Sequence, residues 1–250
     1  GPVADVNSQP DNPVIGTRSF GADPALVARH AREFARAGVP VFPCAPYGKR
    51  PATEHGFHDA TTNLDQIEAW WRQSPGANIG VPTGAASGAV VVDVDVHGPV
   101  DGRASFDRAH RAGLVHGWEL LVRTPTGGMH AYYPATPGSE QRSWQAARAG
   151  IDFRGDGGYI IVPPSLRSIE GNTSGYQVEQ VNTGPAITLD AQRLRDFLDP
   201  RPGTPFADRP LVPQGEALRA VAAAGPATVL ILGSLYLAGQ ALALNDEAPD

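Results

Sequence analysis

Two periods organise the apolar positions of this chain. Val27, Ala31, Phe34 and Ala35 recur at helical spacing behind Asp23 and Pro24, so a helix capped by Asp23 and ended by Gly38 is predicted. Ile67, Trp70 and Trp71 form a second stripe. Its helix begins at Thr62 or Asn63, with Gln66 at the capping-box position if Asn63 is the cap. Both tryptophans read as core rather than as base-stacking platforms. Helices are also predicted over 102–112, with Phe106 and Ala109 inward, and over 189–198. Short strands are predicted over 39–42, 77–81, 118–122, 129–133, 150–154, 159–162 and 174–180, with 136–150 unassigned. The densest apolar run, Ala89 to Val92, reads as a strand buried on both sides, and it leads directly into Asp93 and Asp95.

Strand alternation puts Asp93 and Asp95 on one face, about 7 Å apart along the backbone, with Val94 and Val96 opposite. Two carboxylates at the end of a core strand repel each other and cost desolvation. A divalent cation relieves both costs. A solvated pair at a strand end is the plainer reading, and partners elsewhere in the chain decide between them.

Composition narrows the class. A chain of 250 residues with 41% hydrophobic residues can bury a substantial core. Its 29 Gly and 24 Pro favour strands joined by many turns. The expectation is an α/β (α+β) protein. Residues 1–19 read as a loose leader, 20–199 as the main domain, 200–213 as a Pro-rich linker, and 214–250 as a small helical segment or the start of a further domain. Cys44, the single cysteine, rules out an internal disulfide and any multi-cysteine zinc site, so no zinc is expected. A net charge of −6 argues against a broadly basic nucleic-acid coat, while leaving room for a local basic channel. The chain opens without a basic stretch followed by an apolar one, so no signal peptide is read and a cytoplasmic location is expected. Residues 227–244 carry no charge and approach the roughly 20 residues of a membrane span. Their glycines, serine and glutamine favour a buried helix, and no membrane partner is expected.

Several motifs supply candidate chemistry around the acidic pair. Asp152 is the best third carboxylate. Three carboxylates can hold two divalent ions about 3.5–4 Å apart for phosphoryl transfer. Asp156 competes with it, but its flanking glycines read as a turn. Arg154 alternates to the face of Asp152, where it would neutralise a phosphate or pair with the carboxylates. His130 follows Gly127 and Gly128, a turn whose backbone can approach an anion; a purely structural strand histidine is the alternative. Lys49 and Arg50 sit on a Gly turn after a strand, as phosphate or template contacts or as an ordinary solvated turn. Thr83 offers a hydroxyl beside Gly84, and Ser165, after two prolines, either fixes a loop or meets a phosphate. No P-loop, GxGxxG or GxSxG motif is present.

Taken in order, Lys49-Arg50-Pro51, Trp70-Trp71, the 77–84 segment, Val91-Val92-Asp93-Val94-Asp95, the 124–130 turn ending in His130, and Ile151-Asp152-Phe153-Arg154 through Ser165 closely resemble the bifunctional DNA primase/polymerase domain of the archaeo-eukaryotic primase superfamily. Such domains belong to plasmid and phage replication proteins. The resemblance spans roughly residues 24–180. It implies an RRM-like catalytic sheet joined to a second α/β unit. It also implies a two-metal site of Mg²⁺ or Mn²⁺ on Asp93, Asp95 and Asp152, with His130 at the nucleotide phosphates and Arg154 as the basic residue beside the last acid. The implied activity is template-directed transfer from dNTPs, including primer synthesis. The implied partners are nucleoside triphosphates, single-stranded or primed DNA, and a helicase, either C-terminal or separate. A non-catalytic nucleotide- or DNA-binding module of a replication initiator and a metal-dependent nuclease or phosphohydrolase are the competing readings.

Overall fold

The computed structural model describes residues 23–185 and 187–201. The predicted leader, nearly all of the predicted linker and the helical segment expected over 214–250, with its apolar 227–244 stretch, lie outside the described residues. No helix among the described residues is long and apolar enough to cross a membrane.

The first helix, α1 (Pro24–Arg36), starts where predicted, with the Asp23 carboxylate accepting from the Ala25 N–H. The second, α2 (Leu64–Gln73), is capped by Asn63, whose Oδ1 accepts from Asp65 and Gln66. The predicted capping-box return from Gln66 is replaced, because the Asn63 N–H donates to Thr61 Oγ1. Trp71 is buried, its indole N–H donating to the Ala77 carbonyl, and Trp70 packs against the same core. With β1 (Phe42–Cys44), β2 (Asn78–Pro82) and β8 (Tyr159–Ile161), these helices form one layered unit, its antiparallel sheet ordered β1-β2-β8.

The larger sheet is antiparallel and six-stranded. Its strands are β3 (Ala89–Val94), β4 (Leu120–Arg123), β5 (Met129–Pro134), β6 (Trp144–Ala146), β7 (Ile151–Arg154) and β11 (Gln177–Val181), ordered β11-β4-β5-β3-β7-β6. Strand β3 sits near the middle and is buried on both faces, as its apolar run requires. Val91 faces the core shared with α1 and α2. Val90, Val92 and Val94 face a second core, covered by α3 (Gly102–Arg111) and α4 (Ala191–Leu198). An antiparallel strand shows this doubly apolar pattern only when both sides of the sheet are covered.

The strand predicted over 174–180 is two strands. Tyr176 breaks it: the ring is buried and its N–H donates to the Ser165 carbonyl. Before the break, β10 (Asn172–Gly175) forms a hairpin with β9 (Leu166–Ile169); after it, β11 joins β4. The unassigned 136–150 region contributes the edge strand β6.

Two buried junctions hold these parts together. Asn78 donates to the carbonyls of Gly48 and Leu166 and accepts from the Leu166 N–H, which ties the 45–50 turn to the β9–β10 hairpin. At the other end of β3, Asp95 N–H donates to Gly150 O and Gly102 N–H donates to Asp95 O, so three backbones meet at the start of α3. A Cβ on Gly102 would stand 2.3 Å from Gly150 O and 2.6 Å from Asp95 O. Gly102→Ala therefore runs against helix propensity, which favours alanine. The expected result is a loss of about 1–3 kcal/mol from overpacking, read from the urea midpoint. An unchanged or raised midpoint would contradict this junction.

Candidate active site

Strand register builds the site. Asp93 on β3 lies directly opposite His130 on β5 and directly opposite Asp152 on β7. Gln145 on β6 stands opposite Asp152. Directly paired residues project to the same face, so His130, Asp93, Asp152 and Gln145 form one row across four adjacent strands. The row behind it holds Tyr132, Val91 and Arg154. Asp95, one residue past the end of β3, remains on the acidic face, and its Oδ1 accepts from the His97 N–H.

Two carboxylates facing each other across a strand pair repel, and cations compensate. Arg154 Nη2 donates to Asp152 Oδ2 at 2.8 Å and stands 3.9 Å from Asp93 Oδ2. His130 Nε2 is 3.4 Å from Asp93 Oδ1, and Gln145 Nε2 donates to Asp152 at 3.3 Å. The two acids respond differently. Burial would raise the pKa of Asp93, but the charge and hydrogen bond of His130, then Lys49 and Arg154, hold it below the usual carboxylate value. Burial raises that of Asp152, helped by the charge on Asp93 and opposed by Arg154.

These groups line a cleft of about 450 Å³, large enough for a nucleotide. Beyond the acidic row, the cleft is lined by the 97–100 loop, by the 124–126 turn, and by a basic side that carries Lys49, Arg167, Ile169 and Tyr176. Lys49 is solvent-accessible as a residue, yet enough protein surrounds its ammonium that desolvation lowers its pKa, against the pull of Asp93.

Among the predicted site residues, Asp93, Asp95, Asp152, His130, Arg154 and Lys49 come together in this cleft. Four others do not line it. Thr83 is buried and donates to the Gly155 carbonyl, closing a turn. Ser165 is fully buried and accepts from the Ile79 N–H, so its hydroxyl fixes a loop. Gly128 lies against β3: a Cβ there would be 2.3 Å from Val94 O, so its missing side chain serves strand packing. Arg50 is exposed outside the cleft, its carbonyl accepting from Ala45. Asp156 is a structural residue, accepting from the N–H groups of Ala85 and Gln141. Sequence reasoning passed over Arg167, Tyr176 and Gln145. None belongs to a motif: Gln145 reaches the cleft on the edge strand β6 opposite Asp152, Arg167 on the β9–β10 hairpin, and Tyr176 at the break between β10 and β11.

No group of three or more His, Cys, Asp or Glu side chains is gathered closely enough to hold a metal ion among the described residues. The donor chemistry nevertheless fits a hard divalent cation: three carboxylates share one face, and the facing pair already has a cation, Arg154, against it.

The architecture is that of a mixed α/β enzymatic domain with an acidic floor and a basic wall in one cleft. A family model described as "Bifunctional DNA primase/polymerase, N-terminal" matches residues 31–191, and the chain belongs to that family. Membership places it among nucleotidyltransferase-type enzymes of DNA replication, a generally metal-dependent class. Among curated proteins, "Beta-hexosaminidase LpqI" of Mycobacterium bovis (strain BCG / Pasteur 1173P2) and its namesake of Mycobacterium tuberculosis (strain ATCC 25618 / H37Rv) are each 42% identical over 72 residues, 26% of this chain and 19% of theirs. The chain spans about a fifth of the length of these relatives, and so short a match carries no argument about its activity.

The opposed shifts at the acidic pair have a stability consequence. A raised folded pKa means that stability falls as pH rises from the ordinary carboxylate value through the folded one; a lowered folded pKa means that stability is present above the ordinary value and lost as pH falls through the folded one. Asp152→Asn is therefore expected to stabilise the metal-free domain at pH 7 by about 0.5–2 kcal/mol, with the gain vanishing in acid. Asp93→Asn is expected to destabilise it at pH 7. Thermal melts from pH 3 to 8 check both signs; equal effects of the two variants would contradict the account.

Proposed function

We propose that this domain joins nucleotides on a DNA template, starting primers or extending them from dNTPs. The observation that carries the reading is the row His130, Asp93 and Asp152 on one sheet face, with Asp95 just beyond it and Lys49 and Arg167 lining the same cleft. In the reaction a 3′-oxygen forms a bond to the α-phosphorus of the incoming nucleotide while the bond to pyrophosphate breaks.

Asp93, Asp95 and Asp152 would hold Mg²⁺ or Mn²⁺ in a two-metal arrangement. When bound, such ions lower the pKa of the attacking hydroxyl and offset charge on the leaving pyrophosphate. The chain's own groups do the rest. His130, fixed between Asp93 and the rings of Tyr132 and Tyr176, directs its Nε2 into the acidic face. There it orients Asp93 and can donate to a phosphate oxygen. Arg154, now on Asp152 and close to Asp93, is available to a phosphate once the acids are otherwise neutralised. Lys49 faces the same space from the 45–50 turn. Against a net charge of −6, the template is held weakly and locally, so a helicase or further DNA-binding domain would supply processivity.

The test is incubation with single-stranded template, labelled dNTPs and Mn²⁺, with and without a primer. The domain is expected to extend, and the pair Asp93→Asn and Asp95→Asn is expected to lower the rate at least about a hundredfold with the fold retained by circular dichroism. Undiminished extension by the double variant would remove the assignment. Metal-dependent cleavage without addition would make the domain a nuclease.

A further inference from the structure

The 45–50 turn carries an aromatic ring that the reading above does not use. Tyr47, 50% exposed, is the one large hydrophobic residue left open to solvent among the described residues. Neither its hydroxyl nor its ring is tied to another side chain among them. A lone exposed aromatic is ordinary on a protein surface; the mounting of this one is not.

The backbone under the ring is strained. Ala45, Pro46, Tyr47 and Gly48 form a turn closed by the Gly48 N–H, which donates to the Ala45 carbonyl at 3.0 Å. Tyr47 is third in this turn and has a φ of +56°. Proline second and a left-handed residue third is the type II pattern, which takes glycine or asparagine in the third place because a Cβ is crowded there. The glycine stands one position later, at Gly48. Among the described residues the other non-glycine with positive φ is Glu170, at the tip of the β9–β10 hairpin.

The turn is also rigid. All four carbonyls from Tyr47 to Arg50 accept hydrogen bonds. Tyr47 accepts from the Ser168 N–H at 3.3 Å, Gly48 from the Asn78 amide at 2.9 Å, Lys49 from the Tyr159 hydroxyl at 3.0 Å and Arg50 from the Ala45 N–H at 2.7 Å. Backbone strain persists where the surroundings over-determine it, and such places cluster at binding sites. A ring mounted on a fixed backbone loses little further freedom when a ligand meets it.

Position and charge select the ligand. Ser168, which holds the Tyr47 carbonyl, lies between Arg167 and Ile169, and both of these line the cleft, as does Lys49. Tyr47 therefore stands at the rim, just outside the lining. Lys49 and Arg50 follow it closely in the chain, and neither has a carboxylate within ion-pair distance among the described residues. An exposed ring with cations beside it suits a strand of unpaired bases: the ring takes a base face and the cations take backbone phosphates. Bases stacked inside a duplex offer no such face.

Resting on the nucleotidyl-transfer reading, we propose that Tyr47 is a stacking platform for an unpaired base of the single-stranded template at the mouth of the cleft. It is a positioning residue. Its ring holds the strand and touches none of the reacting groups, so its loss raises the template concentration needed for extension and leaves the rate at saturating template unchanged.

The test uses the full chain and fluorescence anisotropy with three labelled probes: an oligothymidylate, the same strand without its bases, and a blunt duplex. Tyr47→Gly should weaken oligothymidylate binding about tenfold and leave the abasic strand and the duplex unaffected. Its urea midpoint should hold or rise, because glycine relieves the turn. Tyr47→Phe should keep the affinity, since the face of the ring is used and not the hydroxyl. Unchanged oligothymidylate binding in Tyr47→Gly overturns the proposal. So does an equal loss on the abasic strand, and so does a lowered midpoint, which makes Tyr47 a packing residue. Weaker dATP binding with strand binding intact makes the ring a contact for the incoming nucleotide and also overturns it. Primer extension checks the broader reading separately. If the unaltered protein extends while Tyr47→Gly binds the oligothymidylate normally, the Tyr47 assignment alone falls. If the unaltered protein neither binds the strand nor extends it, both fall.

Discussion

Everything at the site depends on two carboxylates held face to face. Asp93 and Asp152 are opposite partners on neighbouring strands, and an isolated sheet would not favour that arrangement. Their repulsion is contained by Arg154 on one side and by His130 and Lys49 on the other. The compensation is uneven: burial acts against both charges, but at Asp93 it is outweighed by His130, Lys49 and Arg154, whereas at Asp152 burial and the charge on Asp93 outweigh Arg154. Such a site is a local cost that the surrounding core must offset. The core is well placed to do so, because every side chain on the opposite face of β3 packs into the cluster under α3 and α4.

The scaffold also explains why the cleft has two characters. Its acidic floor comes from the middle of the six-stranded sheet, where register alone sets positions. Its basic wall comes from the 45–50 turn and the β9–β10 hairpin, which contribute no strand to that sheet. Asn78 joins the two, spending both ends of its amide on their backbones. The acids of the floor are therefore mounted on a different structural unit from Lys49 and Arg167, while His130 and Arg154 share the sheet with the acids. One buried side chain sets the spacing within the basic wall.

Much of the local structure was legible before any coordinates. Asp23 and Asn63 cap helices because their short side chains reach the free N–H groups of a first turn. The apolar run of β3 marked a central strand because burial on both faces leaves no polar position. Other features were hidden. The break at Tyr176 follows from a backbone bond to Ser165 that no local pattern encodes. Thr83 and Ser165 carry the hydroxyls that phosphate sites use, yet each is committed to a backbone partner distant in sequence. Gly128 looked like an anion turn and proved to be a close approach to Val94. A small or hydroxylated residue beside a turn fits both purposes, and its neighbours in space decide between them.

The sequence by itself determined the helices and the central strands, the acidic pair of Asp93 and Asp95, and the ordered motifs that mark the primase/polymerase family. Those are properties of residues close along the chain, where spacing and side-chain chemistry suffice. Tertiary structure alone decided that Asp152 faces Asp93 and that Arg154 bridges them. It also decided that Arg167, absent from every motif, shares the cleft with Lys49. Strand register and hairpin placement bring together residues separated by dozens of positions. The free energy that fixes them comes from two buried cores and a few buried polar ties, which no single stretch of sequence contains.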